Sequence, residues 1–378
     1  LSLIGVTGTN GKTTTTHLIR SVLERCGMPC GLIGTNLICY GNTVLESKST
    51  TPDAIVFQSL LADMVKAGCE YVAMEVSSHA LALGRVHGMR FAAAAFTNLT
   101  QDHLDFHKTM EAYAETKASL FAMSDVAVIN VDDEAAPLML RAASGRKITY
   151  STKKNEATLI AKSIRLLPDA VEFVALDESG LERMRLGIPG EFSVYNALTV
   201  IGICRGLGLS LSDISAALVE SKGIAGRAEI VAVDRDYTVM IDYAHTPDAL
   251  ENILRMVRGV AKGRVITVFG CGGDRDKAKR PLMGKIAETL SDVCIVTSDN
   301  PRREEPMAII NDILSGMAGK NHIAMENRRE AIAAALDMAN PGDFILLAGK
   351  GHETYQEING QKHHLDEREV IHAHLSGN

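Results

Sequence analysis

The first side chains able to do chemistry stand in a glycine-rich turn close to the start of the chain. Its sequence is Gly8-Thr9-Asn10-Gly11-Lys12-Thr13-Thr14, between a short apolar run and an amphipathic stretch. In a strand–turn–helix context, such a turn directs backbone N–H groups at phosphates, and the lysine reaches the β and γ oxygens. Val6 stands where the strict motif has its first glycine. The turn still predicts a nucleoside triphosphate site, with Thr13 as a ligand of Mg²⁺.

Acidic and histidine side chains follow the next apolar runs. Glu75 ends the run 71–76, and a phosphate-bound Mg²⁺ usually takes one or two carboxylates. The segment 97–107 holds two histidines and two aspartates, which suggests a second metal or a substrate carboxylate. The same residue types are common in caps and turns. From the residues alone, both interpretations stay open.

The elements that must position these side chains alternate along the chain. Short β-rich runs separated by longer helical stretches predict βαβ units and a parallel sheet. The segments are 1–6, 12–25, 71–76, 79–86, 92–97, 111–121, 126–130 and 134–143. Residues 147–188 alternate like antiparallel strands, and helices are predicted at 194–206 and 211–220.

A glycine-rich stretch, residues 222–227, has the composition of a hinge, and after it the βαβ alternation restarts. The expected segments are 238–242, 247–261, 264–270, 281–290, 293–297, 307–316, 328–339 and 344–349. We therefore predict an α/β protein with a first domain at 1–225 and a second at 226–378. Glycines follow the run 264–269, but Arg275 stands where a dinucleotide motif has its third glycine, so a nicotinamide cofactor is not expected.

Composition limits the partners of the chain. The formal net charge of -7 gives no general attraction to nucleic acid. The seven cysteines are scattered without a C-x-x-C pair, which is typical of a reducing compartment. We find no apolar run long enough for a membrane span and no signal peptide. The expectation is a cytoplasmic, monomeric protein that acts on small molecules.

Four blocks of sequence together resemble the Mur ligases, which use ATP to join an amino acid to a UDP-muramoyl precursor of peptidoglycan. The blocks are residues 8–13, 75–81, 102–107 and 242–248. The resemblance extends over essentially the whole chain and implies a P-loop ATP-binding domain with a mostly parallel central sheet. It also implies a C-terminal Rossmann-like α/β domain that binds the incoming amino acid.

Three further segments resemble the members that add the third residue of the stem peptide: residues 49–53, 349–353 and 299–302. The last reads Asp-Asn-Pro-Arg and resembles the version that accepts meso-diaminopimelate, whereas lysine-adding members lack the arginine. Meso-diaminopimelate carries a carboxylate that lysine lacks, and Arg302 could bind it bidentately. An unpaired Arg302 should then cost a lysine substrate several kcal/mol.

The resemblance also implies roles for single residues. ATP is expected at Gly8, Thr9, Asn10, Gly11, Lys12, Thr13, Thr14, Asn196, Arg227 and Asp242, and the muramoyl peptide at Thr50, Thr51, Ser77 and Arg85. Diaminopimelate is expected at Arg275, Asp299, Asn300, Arg302, Gly349 and Glu353, with Glu353 on its distal ammonium. Mg²⁺ is expected at Thr13, Glu75, His103 and a carbamoylated Lys117, which by position alone would be a helix-surface lysine. Lys12, Lys117 and Arg227 are the expected catalytic residues.

The implied reaction is amide ligation. ATP phosphorylates the D-glutamyl γ-carboxylate, and the amine attacks the acyl phosphate, with domain closure about residues 223–227 protecting that intermediate. Mur ligases carry an N-terminal domain for the uridine diphosphate. The chain starts at Leu1, directly in a strand, so we expect that a segment has been removed upstream and that uridine binding is impaired.

Three alternatives remain at this stage. They are an L-lysine-adding ligase of the same family, a ligase similar to folylpolyglutamate synthetase, and an inactive nucleotide-binding fragment. The muramoyl and Asp-Asn-Pro-Arg segments argue against the folate enzyme. The presence of Lys12, Glu75, His103 and Lys117 together argues against an inactive module.

Overall fold

The computed structural model describes residues 1–221 and 223–377. Lys222, the first residue of the predicted hinge, lies outside the described residues, as does Asn378. The contacts divide the chain into two units. The first contains Leu1–Thr100 and His107–Lys222, and the second contains Gln101–Phe106 and Gly223–Asn378.

The first unit is built on one long sheet. Its strands are β1 Ser2–Thr7, β2 Cys30–Ile33, β3 Leu37–Tyr40, β4 Thr43–Glu46, β5 Tyr71–Glu75, β6 Phe91–Phe96, β7 Ser124–Asn130, β8 Arg146–Ser151, β9 Leu159–Leu166, β10 Val171–Asp177 and β11 Gly180–Leu186. Within the described residues, their order is β11-β10-β9-β8-β7-β6-β1-β5-β2-β3-β4. The strands from β9 through β8, β7, β6, β1 and β5 to β2 pair in parallel, whereas β10, β11, β3 and β4 pair antiparallel at the two ends.

Helices cover this sheet. They are α1 Lys12–Arg25, α2 Ala54–Lys66, α3 Ser78–Ala82, α5 Met110–Ala122, α6 Ala136–Ala142, α7 Glu191–Gly206 and α8 Leu211–Val219, and the short α4 Leu104–His107 spans the sequence boundary between the units. The central strands are almost entirely buried apolar residues, as expected for parallel strands covered on both faces. Their carboxyl ends place Gly8 after β1, Glu75 at the end of β5 and Thr97 after β6.

The second unit has its own sheet, in the order β12-β13-β17-β14-β15-β16. These strands are β12 Glu229–Val231, β13 Thr238–Asp242, β14 Val265–Phe269, β15 Val293–Thr297, β16 His322–Met325 and β17 Phe344–Ala348, and β18 Tyr355–Ile358 with β19 Gln361–His364 form a separate hairpin. The helices are α9 Pro247–Val260, α10 Lys279–Leu290, α11 Pro306–Leu314, α12 Arg328–Met338 and α13 Glu367–Leu375. All pairs of the six-stranded sheet are parallel except that of β12 with β13.

The predicted α/β class with a mostly parallel central sheet is confirmed. The helix expected at 79–86 is wrong in its extent, because α3 ends at Ala82 and Gly84 follows at a φ of 66°. Helix α2 was not predicted, although Asp53 caps it by accepting from the backbone N–H groups of Ile55 and Val56. Among the helices of residues 1–221 and 223–377, none is long and apolar enough to cross a membrane.

Candidate active site

The glycine-rich turn joins β1 to α1 in a conformation that only glycine allows at two positions. Gly11 has a φ of 86°, and a Cβ there would lie 2.5 Å from Asn196 Oδ1. A Cβ on Gly8, at a φ of 151°, would overlap the Thr97 hydroxyl. Since α1 begins at Lys12, the first N–H groups of this helix face the turn that precedes it. The contact with Gly11 also shows that Asn196 on α7 borders the turn, next to the predicted phosphate site.

Lys12 folds back over this turn. Its Nζ donates to the carbonyl oxygens of Gly8 at 3.0 Å and Thr9 at 2.7 Å. Lys12 is half-buried, and Thr14 behind it on the first turn of α1 is buried. A phosphate could replace these two carbonyl oxygens as the acceptor of the Lys12 ammonium, because an anion is a stronger acceptor than a neutral carbonyl.

Thr13 and Glu75 form an oxygen-rich group beside the turn. Thr13 Oγ1 donates to Glu75 Oε1 at 3.0 Å, and Glu75 is buried at the end of β5. Thr35, which the sequence analysis missed, donates to the same carboxylate through its N–H at 2.7 Å and its hydroxyl at 3.1 Å. A buried carboxylate and a hydroxyl are ligands that Mg²⁺ accepts. The donor set at Thr13 and Glu75 therefore fits a magnesium ion.

The residues expected around the muramoyl peptide lie beside Glu75. Thr51 Oγ1 donates to the Glu75 carbonyl at 2.8 Å and accepts from the Ser77 N–H at 3.1 Å. Arg85 Nη1 donates to the Thr51 carbonyl at 2.8 Å, and the hydroxyl oxygens of Thr35 and Thr50 lie 3.0 Å apart. The structure thus brings Thr50, Thr51, Ser77 and Arg85 into one hydrogen-bonded group.

Lys117 is not the surface lysine that its helical position suggests. It is buried, with only 1% of its surface exposed, and its Nζ donates to the Gly8 carbonyl at 2.8 Å. The same ammonium lies 4.5 Å from the centre of the Tyr113 ring, whose hydroxyl is 3.3 Å from Thr9 Oγ1. An ammonium has no lone pair for a cation. Lys117 fits a magnesium site only after conversion to an acidic group such as a carbamate.

His107 and Ser78 are further residues that the sequence analysis did not assign. His107 Nε2 and Ser78 Oγ lie 2.9 Å apart, and both residues are buried. The His107 ring also stacks on Tyr113 at 4.9 Å between ring centres. These contacts connect the start of α3 to the aromatic ring beside Lys117. Because histidine and aspartate crowd the segment 97–107, sequence alone could not single out His107.

His103 belongs by its contacts to the second unit. It has a φ of 55°, and its Nε2 lies 3.4 Å from Asp102 Oδ2. Asp102 also lies 3.6 Å from Lys279 Nζ, and both residues are buried. Burial alone would raise the pKa of Asp102, but the charges of Lys279, His103 and His245 outweigh it and hold that pKa far below its usual range.

The nucleotide residues expected in the second unit surround Tyr243. Asp242 accepts from the N–H groups of Ala228 at 2.7 Å and Ala244 at 2.8 Å, and burial raises the pKa of Asp242. The Arg227 guanidinium stacks 4.6 Å from the centre of the Tyr243 ring. Burial, together with the positive charge of Lys279, lowers the pKa of His245 to about 4, so this imidazole is neutral at pH 7.

Part of the predicted hinge is tightly packed. Gly226 has a φ of 71°, and a Cβ there would overlap the backbone of Gly351 and His352. The Gly226 N–H donates to Glu229, which pairs in turn with Arg368. Glycine at 226 therefore allows a close backbone approach within the second unit rather than free rotation.

The residues expected to bind the amino acid meet at the carboxyl ends of β15 and β17. Asn300 Nδ2 donates to Glu353 Oε2 at 2.8 Å, and Gly349 has a φ of 110°. A Cβ on Gly349 would lie 2.7 Å from Asp299 Oδ2. Lys350, which the sequence analysis passed over, lies completely buried between Asn300 and Glu353. Asp299, Asn300, Gly349 and Glu353 thus form one cluster.

The two carboxyl groups of this cluster differ in their pKa values. Burial and the nearby negative charge of Asp299 raise the pKa of Glu353, and Lys350 opposes this. Burial also acts on Asp299, but Lys350 and Arg328 overcome it and lower the pKa of that carboxyl. Arg328 is itself buried, donating to Glu367 Oε1 and to the Ala348 carbonyl, each at 2.8 Å.

Arg302 already has partners in this structure. Its Nε lies 3.2 Å from Glu357 Oε2, and its Nη1 donates to the Gly273 carbonyl at 2.8 Å. The expectation that a lysine substrate leaves Arg302 unpaired is therefore wrong, since Glu357 on β18 provides a counter-charge. Arg275 is exposed and donates to the Asp274 carbonyl at 2.9 Å, so no described contact joins it to Asn300 or Glu353.

Comparison with known proteins gives matches over most of the chain. Residues 6–204 match the family model described as Mur ligase middle domain, and residues 226–351 match the Mur ligase, glutamate ligase domain. A curated protein of Clostridium botulinum, UDP-N-acetylmuramoyl-L-alanyl-D-glutamate--2,6-diaminopimelate ligase, is 48% identical over 373 residues, which are 98% of this chain and 77% of that protein. The protein of that name from Clostridium tetani is 49% identical over the same shares of the two chains.

Solved structures give the same picture. A structure of UDP-N-acetylmuramoyl-L-alanyl-D-glutamate--2,6-diaminopimelate ligase matches with a TM-score of 0.70 and 36% identity, covering 100% of this chain and 78% of that one. The folylpolyglutamate synthase of Mycobacterium tuberculosis, solved with ADP and AMPPCP, matches with a TM-score of 0.73 at 17% identity, over 92% of this chain and 88% of that one. At that identity the second match concerns the fold alone.

Proposed function

Since this chain belongs to the Mur ligase family, a family of ATP-dependent ligases, we propose that it adds meso-diaminopimelate to UDP-N-acetylmuramoyl-L-alanyl-D-glutamate. The relatives that carry the name of this reaction align over 98% of the chain. The proposed product is the tripeptide precursor of peptidoglycan. ATP, the muramoyl dipeptide and diaminopimelate are the proposed substrates.

The observation that carries this proposal is the cluster at the carboxyl ends of β15 and β17. Glu353 offers a carboxylate for an ammonium group, held in place by the Asn300 amide that donates to it, and Arg302 on the following turn offers a guanidinium for a carboxylate. Meso-diaminopimelate carries both kinds of group at its distal end. We assign diaminopimelate binding to Asp299, Asn300, Arg302, Gly349 and Glu353, with the exposed Arg275 as an outer contact.

The phosphate chemistry is proposed for the turn between β1 and α1. The turn formed by Gly8, Thr9, Asn10 and Gly11 would hold the phosphates through the amides of Gly11 and of the start of α1, and Lys12 would neutralise their charge. The Thr9 and Asn10 N–H groups instead fix the turn, because they donate to the Asn98 carbonyl at 2.8 Å and to Asn98 Oδ1 at 2.9 Å. Thr13 and Glu75 would hold Mg²⁺, with His103 and a carbamoylated Lys117 as further ligands, and the ion would supply charge neutralisation on the transferred phosphoryl group. Thr14 on the first turn of α1 and Asn196 beside Gly11 are proposed as further contacts of the nucleotide.

Other residues are proposed to orient the remaining groups. Arg227, held against Tyr243, would contact phosphate, and Asp242 would contact the ribose. Thr50, Thr51, Ser77 and Arg85 would hold the muramoyl peptide so that its D-glutamyl γ-carboxylate is phosphorylated. The amine of diaminopimelate then attacks the acyl phosphate, and inorganic phosphate leaves. We also propose a cytoplasmic monomer with domains at 1–225 and 226–378.

Phosphate release tests this function directly. The chain is incubated with ATP, Mg²⁺ and UDP-N-acetylmuramoyl-L-alanyl-D-glutamate, in parallel with meso-diaminopimelate, L-lysine or no amine. The expected result is release that depends on diaminopimelate. Release with lysine alone would assign the lysine-adding reaction, and release with a folate and glutamate would assign the folate reaction. Binding of ATP without release under any condition would indicate a nucleotide-binding module.

A further inference from the structure

Lys350 is a buried cation inside the amino-acid cluster. None of its surface is exposed, and its Nζ donates to Asn300 Oδ1 at 3.1 Å and to Glu353 Oε2 at 3.0 Å. It also lies 5.6 Å from the centre of the Tyr355 ring. A buried ammonium is costly unless it is paired and hydrogen-bonded. The burial of the Lys350 ammonium therefore depends on its contacts with Asn300, Glu353 and Tyr355.

The contacts of Lys350 also determine how Asn300 is oriented. Asn300 Oδ1 accepts from Lys350 and from the Glu357 N–H at 2.9 Å. Its amide nitrogen must then face Glu353, to which it donates at 2.8 Å. Lys350 and Asn300 thus hold the same oxygen, Glu353 Oε2, from two directions. The carboxylate is fixed by two donors before any substrate binds.

We propose that Lys350 is a positioning residue for the incoming amino acid: it fixes Asn300 and holds the Glu353 carboxyl group in the orientation that receives the substrate ammonium. This proposal rests on the proposed function, because Glu353 and Asn300 are there assigned to diaminopimelate. Lys350 itself contacts no substrate in this proposal. It acts through the charge and the direction of the Glu353 carboxylate.

Electrostatics supports this role. Burial and the negative charge of Asp299 favour protonation of Glu353, and Lys350 is the charge that opposes them most. Among the described residues, Asp299, Tyr243 and Tyr355 are titratable groups at this pair, and Arg302 and Arg328 act on Asp299. Without Lys350, the pKa of Glu353 should rise further. A larger fraction of the carboxyl groups would then be protonated at a given pH, and amine binding should recover as pH rises.

The experiment measures KM for diaminopimelate and for ATP, by phosphate release at pH 7 and pH 9, in wild type, Lys350→Met, Glu353→Gln and the double variant. Lys350→Met should raise KM for diaminopimelate by about tenfold or more at pH 7, as expected when one partner of a buried pair is removed. KM for ATP should stay unchanged. At pH 9 the loss in Lys350→Met should shrink relative to wild type, whereas the loss in Glu353→Gln should not.

The double variant separates positioning from a structural role. If Lys350 acts through Glu353, the double variant should be little worse than Glu353→Gln, because the two changes remove one interaction. Lys362→Met is the matched control, since Lys362 stacks on the same Tyr355 ring at 4.0 Å but is exposed. Lys350→Gln, which keeps donor groups but no charge, replaces Lys350→Met if the latter does not fold.

Three results would overturn the role of Lys350 while leaving the ligase function intact. They are an unchanged KM for diaminopimelate in a folded Lys350 variant, losses that add in the double variant, and a loss that is the same at both pH values. A wild-type chain that releases no phosphate with diaminopimelate would instead overturn the proposed function, and the assignment of Lys350 with it.

Discussion

Among single residues, Arg302 is proposed to separate meso-diaminopimelate from lysine. Its guanidinium pairs with Glu357 and the Gly273 carbonyl, so it stays partnered when a substrate lacks the distal carboxylate. Discrimination then comes from the extra charge-assisted hydrogen bonds that diaminopimelate can form, rather than from an uncompensated buried charge. The preference for meso-diaminopimelate over lysine should therefore be smaller than it would be if a lysine substrate left Arg302 without a partner.

Replacement of Arg302 by alanine tests this preference. We expect KM for diaminopimelate to rise by a factor that corresponds to about 1.5–3 kcal/mol, the usual contribution of a charged hydrogen bond. KM for ATP should not change. Arg303→Ala is the control, because Arg303 is largely exposed and pairs with Asp274. Equal KM values for diaminopimelate in the two variants would remove Arg302 from the site.

Glu75 offers a test of the proposed magnesium site. In Glu75→Gln the neutral amide can still accept from Thr13 and Thr35, but it binds a cation far less well. We expect the Mg²⁺ concentration for half-maximal phosphate release to rise roughly tenfold or more. Glu70→Gln, an exposed position just before β5, should behave like wild type. A Mg²⁺ titration that is the same in both variants would contradict the assignment.

The sequence predicts many of these side chains, but it does not predict which residues contact them. Glu75 was predicted at a strand end, and the motif around Lys350 was identified without assigning Lys350 itself. Thr35 could not be found, because it lies between two short strands and approaches Glu75 only through folding. Lys117 looked exposed by helical position. Its burial depends on the packing of α5 beside the turn after β1, which no local pattern encodes.

At the scale of elements, the central strands and the long helices were predictable because their periodicity is strong. Strands β13 and β15 and helix α1 have the predicted limits. The short strands β2, β3 and β4 were missed, since each has only four residues and β4 is mostly exposed. The hairpin of β18 and β19 was also missed. It carries Glu357, so the partner of Arg302 could not be anticipated.

The glycine-rich segment after α8 contains two glycines, Gly223 and Gly226, whose replacement should affect stability differently. Gly226→Ala should lower the free energy of unfolding by roughly 1–3 kcal/mol, because the new Cβ overlaps the backbone of the loop after β17. Gly223→Ala should be tolerated, since no atom of the described residues, its chain neighbours aside, lies within 4 Å of a Cβ at that position. Urea unfolding of both variants measures the difference. Comparable losses would show that flexibility, rather than close approach, requires glycine at both positions.

At the scale of the whole molecule, nucleotide binding should appear as stabilisation. A non-hydrolysable ATP analogue with Mg²⁺ at about 100 times its Kd should stabilise the protein by about 2.7 kcal/mol and raise its Tm. Lys12→Met should abolish that increase, because the ammonium group is proposed to neutralise the phosphates. Lys66→Met, an exposed lysine at the end of α2, should retain it. Calorimetry without and with the analogue separates lost binding from lost stability.

The buried pair of Arg328 and Glu367 limits how the carboxyl-terminal end can be engineered. Glu367 is the first residue of α13, and Arg328 also holds the last carbonyl of β17, just before Gly349. A purification tag fused behind α13 would leave this pair intact. Deleting α13 would leave the Arg328 guanidinium buried without its carboxylate and should lower the free energy of unfolding by about 3–5 kcal/mol. Shortened versions made for crystallisation should therefore keep every residue through the end of α13.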